Sequence, residues 1–240
     1  MYYGTNPILM ISAILPAIIL MVQVYRADKL EKEPIRLLIA LAFLGIISTI
    51  IAVVLEMAGQ YLISGLDPNS LIYNIILYFI IVAFSEEWAK YIVLKLRTWK
   101  NAAFNCQFDG VVYSVFVGLG FALWENMQYV SMYGFETAIV RAVTAVPGHA
   151  CFAVFMGVWY GMAKRYEYAG EKVKAKQARI SCVVVPAILH GIYDFTATMG
   201  QGISLIFVIF VIAMFFWASK LVKEMSRNDK YIGFQGRDNY

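Results

Sequence analysis

Charge is scarce in this sequence. Only 15% of its 240 residues are Asp, Glu, Lys or Arg, against 61% hydrophobic, which excludes an ordinary soluble domain of this length. Cysteine is scarce too. Cys106, Cys151 and Cys182 are odd in number and lack CxxC spacing, so neither a disulfide framework nor a zinc knuckle is indicated. No HExxH occurs, so the helical signature of many zinc peptidases is missing. Internal repeats and low-complexity tracts are absent as well. The first apolar run has no basic segment ahead of it, so no cleavable signal peptide is expected. The net charge of +4 is no nucleic-acid signature, because the basic residues are dispersed over loops between apolar runs.

What the sequence does contain is seven apolar runs, at about 8–25, 35–58, 71–94, 108–130, 137–163, 180–199 and 203–221. A spanning helix needs about 20 residues, so the fold class is all-α, a polytopic transmembrane helix bundle. A single transmembrane domain, 1–222, is expected, followed by a polar tail, 223–240, that is mobile at its end. Pro16 predicts a kink in the first run. Gly134 marks a tight connection, Gly200 to Gly202 a turn, and 164–179 the longest soluble segment, read as a short surface helix. Eighteen of the 20 Lys and Arg residues fall before or at the start of span 2, between spans 3 and 4, between spans 5 and 6, or at the end of span 7 and beyond. The opposite loops hold none. That alternation predicts the N-terminus outside and the C-terminus in the cytoplasm.

The third run carries Ser85-Glu86-Glu87-Trp88-Ala89-Lys90. A charge at the centre of a spanning helix costs about 2.5–3.5 kcal/mol on insertion scales, so two glutamates and a lysine there need partners. Lys90 lies four residues from Glu86 and three from Glu87, close enough on a helix to pair with either. Other spans offer Glu125, His149, His190 and Asp194, the last two sharing a face. Pro147-Gly148 should loosen the helix just before His149, and broken backbone at membrane depth needs protein or a water-filled cavity around it. Gly118 and Gly120 give a neighbouring backbone room to approach near Glu125. Glu86, His149 and His190 come out at similar depth, with Glu125 nearer the outer side. Glu56 reads as an interfacial acid and Asp109 as a helix-start acid. Arg141 is expected to snorkel outward or pair with Glu136, and Trp99, Trp159 and Trp217 to anchor the interfaces.

A buried carboxylate beside an imidazole can activate water, and His190 with Asp194 can donate to the oxyanion that forms on an attacked carbonyl. Alternatively Glu86, Glu125, His149 and His190 can bind zinc, whose bound water is the nucleophile. The sequence leaves the two open. Both are intramembrane peptide hydrolysis, and cleavage should be lost in Glu86→Ala, Glu87→Ala and His190→Ala. A proton-coupled transporter also uses buried acids and histidines, but it predicts two related halves that are not found. A non-catalytic membrane protein, with the polar cluster as packing glue, predicts that Glu86→Gln is silent.

Five motifs in order carry a resemblance. Glu86-Glu87-Trp88-Ala89-Lys90, Phe108-Asp109-Gly110, Gly120-Phe121-Ala122-Leu123-Trp124-Glu125-Asn126, Pro147-Gly148-His149 and Leu189-His190-Gly191-Ile192-Tyr193-Asp194 resemble the PrsW family of bacterial intramembrane proteases. The resemblance implies a grouping with the CAAX-protease and bacteriocin-processing superfamily, with three departures: Lys90 stands one place before the arginine, Glu125 replaces a histidine, and Asp194 replaces an asparagine. His149 would supply the missing imidazole. The implied catalytic set is Glu86, Glu87, Glu125, His149, His190 and Asp194, with Lys90 as a supporting ion pair and zinc as a possible cofactor. The implied location is the bacterial plasma membrane, with the lipid bilayer and a membrane-anchored anti-sigma factor as partners. Site-1 cleavage of that factor would begin an envelope stress response. A CAAX-like or bacteriocin-processing specificity is the nearest alternative.

Overall fold

The computed structural model describes residues 7–198 and 204–233. The turn expected at 200–202 and the end of the tail lie outside them. The described residues form helices α1 (Pro7–Ala27), α2 (Ile35–Leu62), α3 (Leu71–Thr98), α4 (Asp109–Tyr133), α5 (Phe135–Val143), α6 (Ala145–Tyr168), α7 (Lys172–Thr198) and α8 (Leu205–Arg227). Counting α5 and α6 as one, seven are long and apolar enough to cross a membrane. No strand occurs among the described residues. A helix satisfies the backbone N–H and C=O groups of its interior within itself, which hydrocarbon cannot do for it. The outward faces are rich in large apolar side chains such as Ile39, Phe43, Ile50, Ile209, Ile212 and Phe216.

α4 is the axis of the bundle, packed by α1, α2, α3 and α6. Small residues make that position possible. A Cβ on Gly120 would stand 2.0 Å from the Ala42 carbonyl oxygen, and one on Gly45 would stand 2.1 Å from that of Val117, so α2 and α4 touch backbone to backbone. Gly110 meets Gly157 and Gly161 of α6 in the same way. Gly120→Val should therefore separate two helices and destabilise the protein by about 3 kcal/mol, the upper end of overpacking costs. Gly65→Ala, in a loop where an added Cβ meets nothing within 4 Å, should leave the unfolding midpoint unchanged. A thermal melt of both variants in detergent checks the pair.

Helix ends differ from the sequence reading in instructive ways. Ser70 and Ser204 cap α3 and α8 by accepting from the Tyr73 and Phe207 amides, each at 3.1 Å. The segment 164–179 forms no separate surface helix. α6 runs on to Tyr168 and α7 starts at Lys172, joined by a turn in which Gly170 takes φ +75°, the left-handed region that glycine enters without a Cβ clash. The break before His149 falls at Thr144, upstream of Pro147-Gly148. Pro147 occupies the first turn of α6, where its missing N–H would have had no helical partner anyway. α3 contains a π-helical stretch, Ile76–Ala83, that ends just before Ser85, and such widened turns concentrate at functional sites.

Beyond α8, residues 229–232 fold back on the loop before α4. The Gln107 and Ile232 amides donate to the carbonyls of Lys230 and Asn105 at 3.2 and 2.6 Å. Between α1 and α2, burial pushes the Asp28 carboxyl up to about 6 and that of Glu33 up to about 7.

Candidate active site

Five helices bring their polar residues to one place. Lys90 of α3 is 2% exposed, and its ammonium donates to Glu86 Oε2 at 3.0 Å and Glu87 Oε1 at 2.7 Å. Its third contact is His149 Nδ1 of α6 at 3.3 Å, and the ring of Phe121 lies 4.0 Å from Nζ. An ammonium has three protons and no acceptor, so all three protons find partners. Nδ1 of His149 must then accept, which puts the ring proton on Nε2, and Nε2 donates to Glu125 Oε2 of α4 at 2.8 Å. The same oxygen accepts from Arg141 of α5 at 2.9 Å, while Arg141 Nε donates to Asn126 Oδ1 at 2.9 Å.

His190 of α7 completes the cluster. Its Nδ1 lies 3.1 Å from Glu87 Oε1 and its Nε2 lies 3.4 Å from Asp194 Oδ2. The two imidazoles meet edge to face at 5.3 Å, and Phe152 stacks on His190 at 4.6 Å. Packing fixes both rings. Gly191 lets the π-helical stretch come close, since a Cβ there would stand 2.4 Å from the Phe79 ring.

A cavity of about 300 Å³ opens onto this cluster, and Glu56, Glu86, Glu125, Arg141, His149, His190 and Asp194 line it. Glu87 does not. It is wholly buried behind Lys90 and His190, with Oε2 unpartnered. The adjacent glutamates therefore have different surroundings, Glu86 facing the cavity and Glu87 backing a histidine. A second hollow, lined by Val53, Trp124, Gln128, Met132 and Tyr133, shares Glu56, Glu86, Glu125 and Tyr129 with the first and lies between α2 and α4.

At 1.5 Å of rise per residue, His149 lies about 6 Å from the start of α6 and His190 about 12 Å from the end of α7. Glu125 lies about 12 Å from the end of α4. All three helix ends are opposite the basic loops. The site thus sits toward one end of the bundle, and Glu125, expected at a different depth from His149, bonds to it directly.

All six candidate acids and histidines and Lys90 converge here. Two residues given other roles in the sequence belong with them. Arg141 pairs with Glu125, not Glu136, because the Gly134 turn folds α5 back against α4. Glu56 is no isolated interfacial acid but a cavity wall. A hint lay in the sequence: an arginine and a fourth glutamate inside apolar runs, both toward the outer side. Asp109 differs as well, accepting from the amides of Asn105 and Cys106 ahead of the helix at 3.0 and 2.6 Å, not from the first amides within it.

Glu86, His149 and His190 each place a ligand atom within 4.8 Å of the others. One carboxylate and two imidazoles are the donor set of many hydrolytic zinc sites. Glu87 behind His190 is the outer carboxylate that such histidines usually carry. The residues fit a zinc-class ion.

Comparison with known proteins agrees with this chemistry. The profile of the PrsW family intramembrane metalloprotease matches residues 33–219. The chain is 33% identical to Protease PrsW of Bacillus subtilis (strain 168) over 195 residues, covering 78% of this chain and 81% of that protein. It is 30% identical to Protease PrsW of Clostridioides difficile (strain 630) over 229 residues, covering 92% and 93%. With Protease PrsW of Oceanobacillus iheyensis the identity is 32% over 217 residues, covering 90% and 95%. No solved structure matches the chain. These matches carry the PrsW assignment and lend no support to the wider grouping with CAAX and bacteriocin-processing enzymes.

Proposed function

The chain belongs to the PrsW family of intramembrane metalloproteases, and from that premise we propose that it cuts a membrane-anchored protein close to the outer surface, at a centre formed by Glu86, His149 and His190. The observation that carries this reading is the convergence of those three ligand groups, from three helices, on the wall of one cavity. When bound there, zinc supplies Lewis-acid polarisation of a carbonyl and water of lowered pKa. The chain's own residues do the rest. Glu87 accepts from Nδ1 of His190 and holds the ring so that Nε2 faces the cavity. Glu125, gripped by Arg141 and His149, accepts a hydrogen bond from the attacking water and orients it, and Asp194, beside His190, takes that water's proton and passes it on to the leaving amine.

Substrate reaches the cavity sideways between α2 and α4, past Trp124, Tyr129 and Met132. It arrives as unwound chain, since a helical peptide keeps its scissile carbonyl in its own hydrogen bonds. With the N-terminus outside, as the basic loops predict, the cut falls near the extracytoplasmic face. That position suits the first cut in a membrane-anchored anti-sigma factor, the substrate class that the family resemblance implies.

Lys90 already contacts Glu86 and His149, two of the three groups a metal would use. That contact favours a second, metal-free reading in which Glu86 activates water and His190 with Asp194 donates to the oxyanion. Purified protein reconstituted with an anti-sigma factor separates the readings. Chelation should abolish cleavage, and one equivalent of zinc should restore it. Cleavage that persists with less than about 0.1 zinc per chain would establish the metal-free mechanism, in which proton transfer alone contributes about 10²–10⁴-fold.

A further inference from the structure

A second group of metal-ligating side chains lies at the opposite end of the bundle, where the loop before α4 meets the segment after α8. Cys106, Asp109 and Asp229 each place a ligand atom within 4.8 Å of the others. Backbone bonds build this group. Asp109 Oδ2 accepts from the amides of Asn105 and Cys106, Asp229 Oδ1 accepts from those of Phe108 and Lys230, both at 2.9 Å, and Cys106 and Tyr231 form an antiparallel bridge.

Those bonds use one oxygen of each aspartate. The other two, Asp109 Oδ1 and Asp229 Oδ2, are buried and accept from no amide or other donor, like the side-chain oxygen of Asn105, and the Asp109 carboxyl faces that of Glu33, with which it can share a proton when no cation is bound. Asp109 is fully buried. The neighbours add acceptors. Asp28 and Glu33 are 1% and 3% exposed; Glu33 accepts from Tyr113 and Glu31 from Asn105. The nearby cation, Lys32, donates to the backbone carbonyls of Tyr25 and Asp28. Buried acceptors that face one another are costly unless a proton or a cation stands between them. The thiol selects among cations, because thiolate suits zinc-class ions and carboxylate alone suits magnesium and calcium.

We propose that Cys106, Asp109 and Asp229 bind a thiophilic divalent cation of the zinc class, which staples the segment after α8 to the loop before α4. Binding converts the Cys106 thiol to thiolate and releases its proton to solvent. Asp109 and Glu125 are 16 residues apart on α4, about 24 Å along its axis, so this site is separate from the catalytic cluster.

Cobalt tests the assignment, because the catalytic cluster contains no sulfur. Full-length protein in detergent, loaded with Co²⁺, should show a near-ultraviolet thiolate-to-cobalt band that is lost in Cys106→Ser, weakened in Asp229→Asn and retained in His190→Ala. In unaltered protein, zinc should slow maleimide alkylation of Cys106, assigned by peptide mass spectrometry, at least tenfold, and chelation should restore the rate. That second measurement decides the matter if Cys106→Ser does not fold. A cobalt spectrum without a thiolate band, a band that survives Cys106→Ser, or an alkylation rate indifferent to zinc would overturn the site.

Discussion

Glu86→Gln should abolish cleavage and leave the fold intact, with at least about a thousandfold loss in kcat/KM, within the range assigned to a positioned proton-transfer or ligand group. The substitution keeps the size and the planar end of the side chain. It removes only the charge that faces the cavity. Stability should not fall, because Lys90 retains Glu87 at 2.7 Å and the buried cluster loses one excess negative charge. The matched variant Glu87→Gln should behave differently. Glu87 is sealed from the cavity and acts through His190, so loss of an outer-layer partner should cost about 10–100-fold. Assays on reconstituted protein, with thermal melts and zinc content on the same samples, read all three quantities. Glu86→Gln with more than about a tenth of normal activity would remove this residue from the centre. Equal losses in the two variants would mean that the cavity does not distinguish them.

Legibility in the sequence followed the type of physics involved. Spans were legible because hydrocarbon demands about 20 apolar residues with no backbone left unpaired. The ion pair of Glu86, Glu87 and Lys90 was legible because helical spacing is local. Which glutamate faces the cavity was not, since that depends on the phase of α3 after its π-helical stretch and on the partner helices. Arg141 went to the wrong partner for a similar reason. Glu136 is near in sequence, but the turn at Gly134 brings Glu125 nearer in space. Thr144 shows the limit of motif reading, because Pro147-Gly148 looked like the break and is instead the first turn of the next helix.

The position of the site constrains function beyond the identity of its residues. His149 and His190 stand on α6 and α7, each within about three turns of the helix end opposite the basic loops. On the proposed reading, a centre so placed would meet the part of an anchored substrate just entering the bilayer, where unwinding a helix costs least because water can still bond the freed carbonyls. The shared wall between the two hollows, formed by Glu56, Glu86, Glu125 and Tyr129, would on that reading be the place where an unwound strand changes from lipid to water.

Lys90→Met should be the most destabilising single change in the cluster, at about 3–5 kcal/mol, the cost of removing one partner from a buried charge pair. Methionine fills a similar volume, so the loss is electrostatic. Two adjacent carboxylates, one 6% exposed and the other fully buried, would be left with His190 as their nearest basic partner. His149 Nδ1 would also lose its donor. Adding Glu87→Gln to Lys90→Met should recover at least half of the loss, because it deletes one of the two uncompensated charges. The two changes share a contact and should not be additive. Chelated protein should suffer more from Lys90→Met than zinc-loaded protein, since a dication bound to Glu86, His149 and His190 takes over part of the neutralisation and stabilises the form that binds it. Unfolding midpoints of the two single variants and the double variant, each with and without chelator, measure these terms. A Lys90→Met protein as stable as the parent in chelator would show that the glutamate pair is neutralised by protons instead of by the lysine, and would leave the ammonium without a structural role.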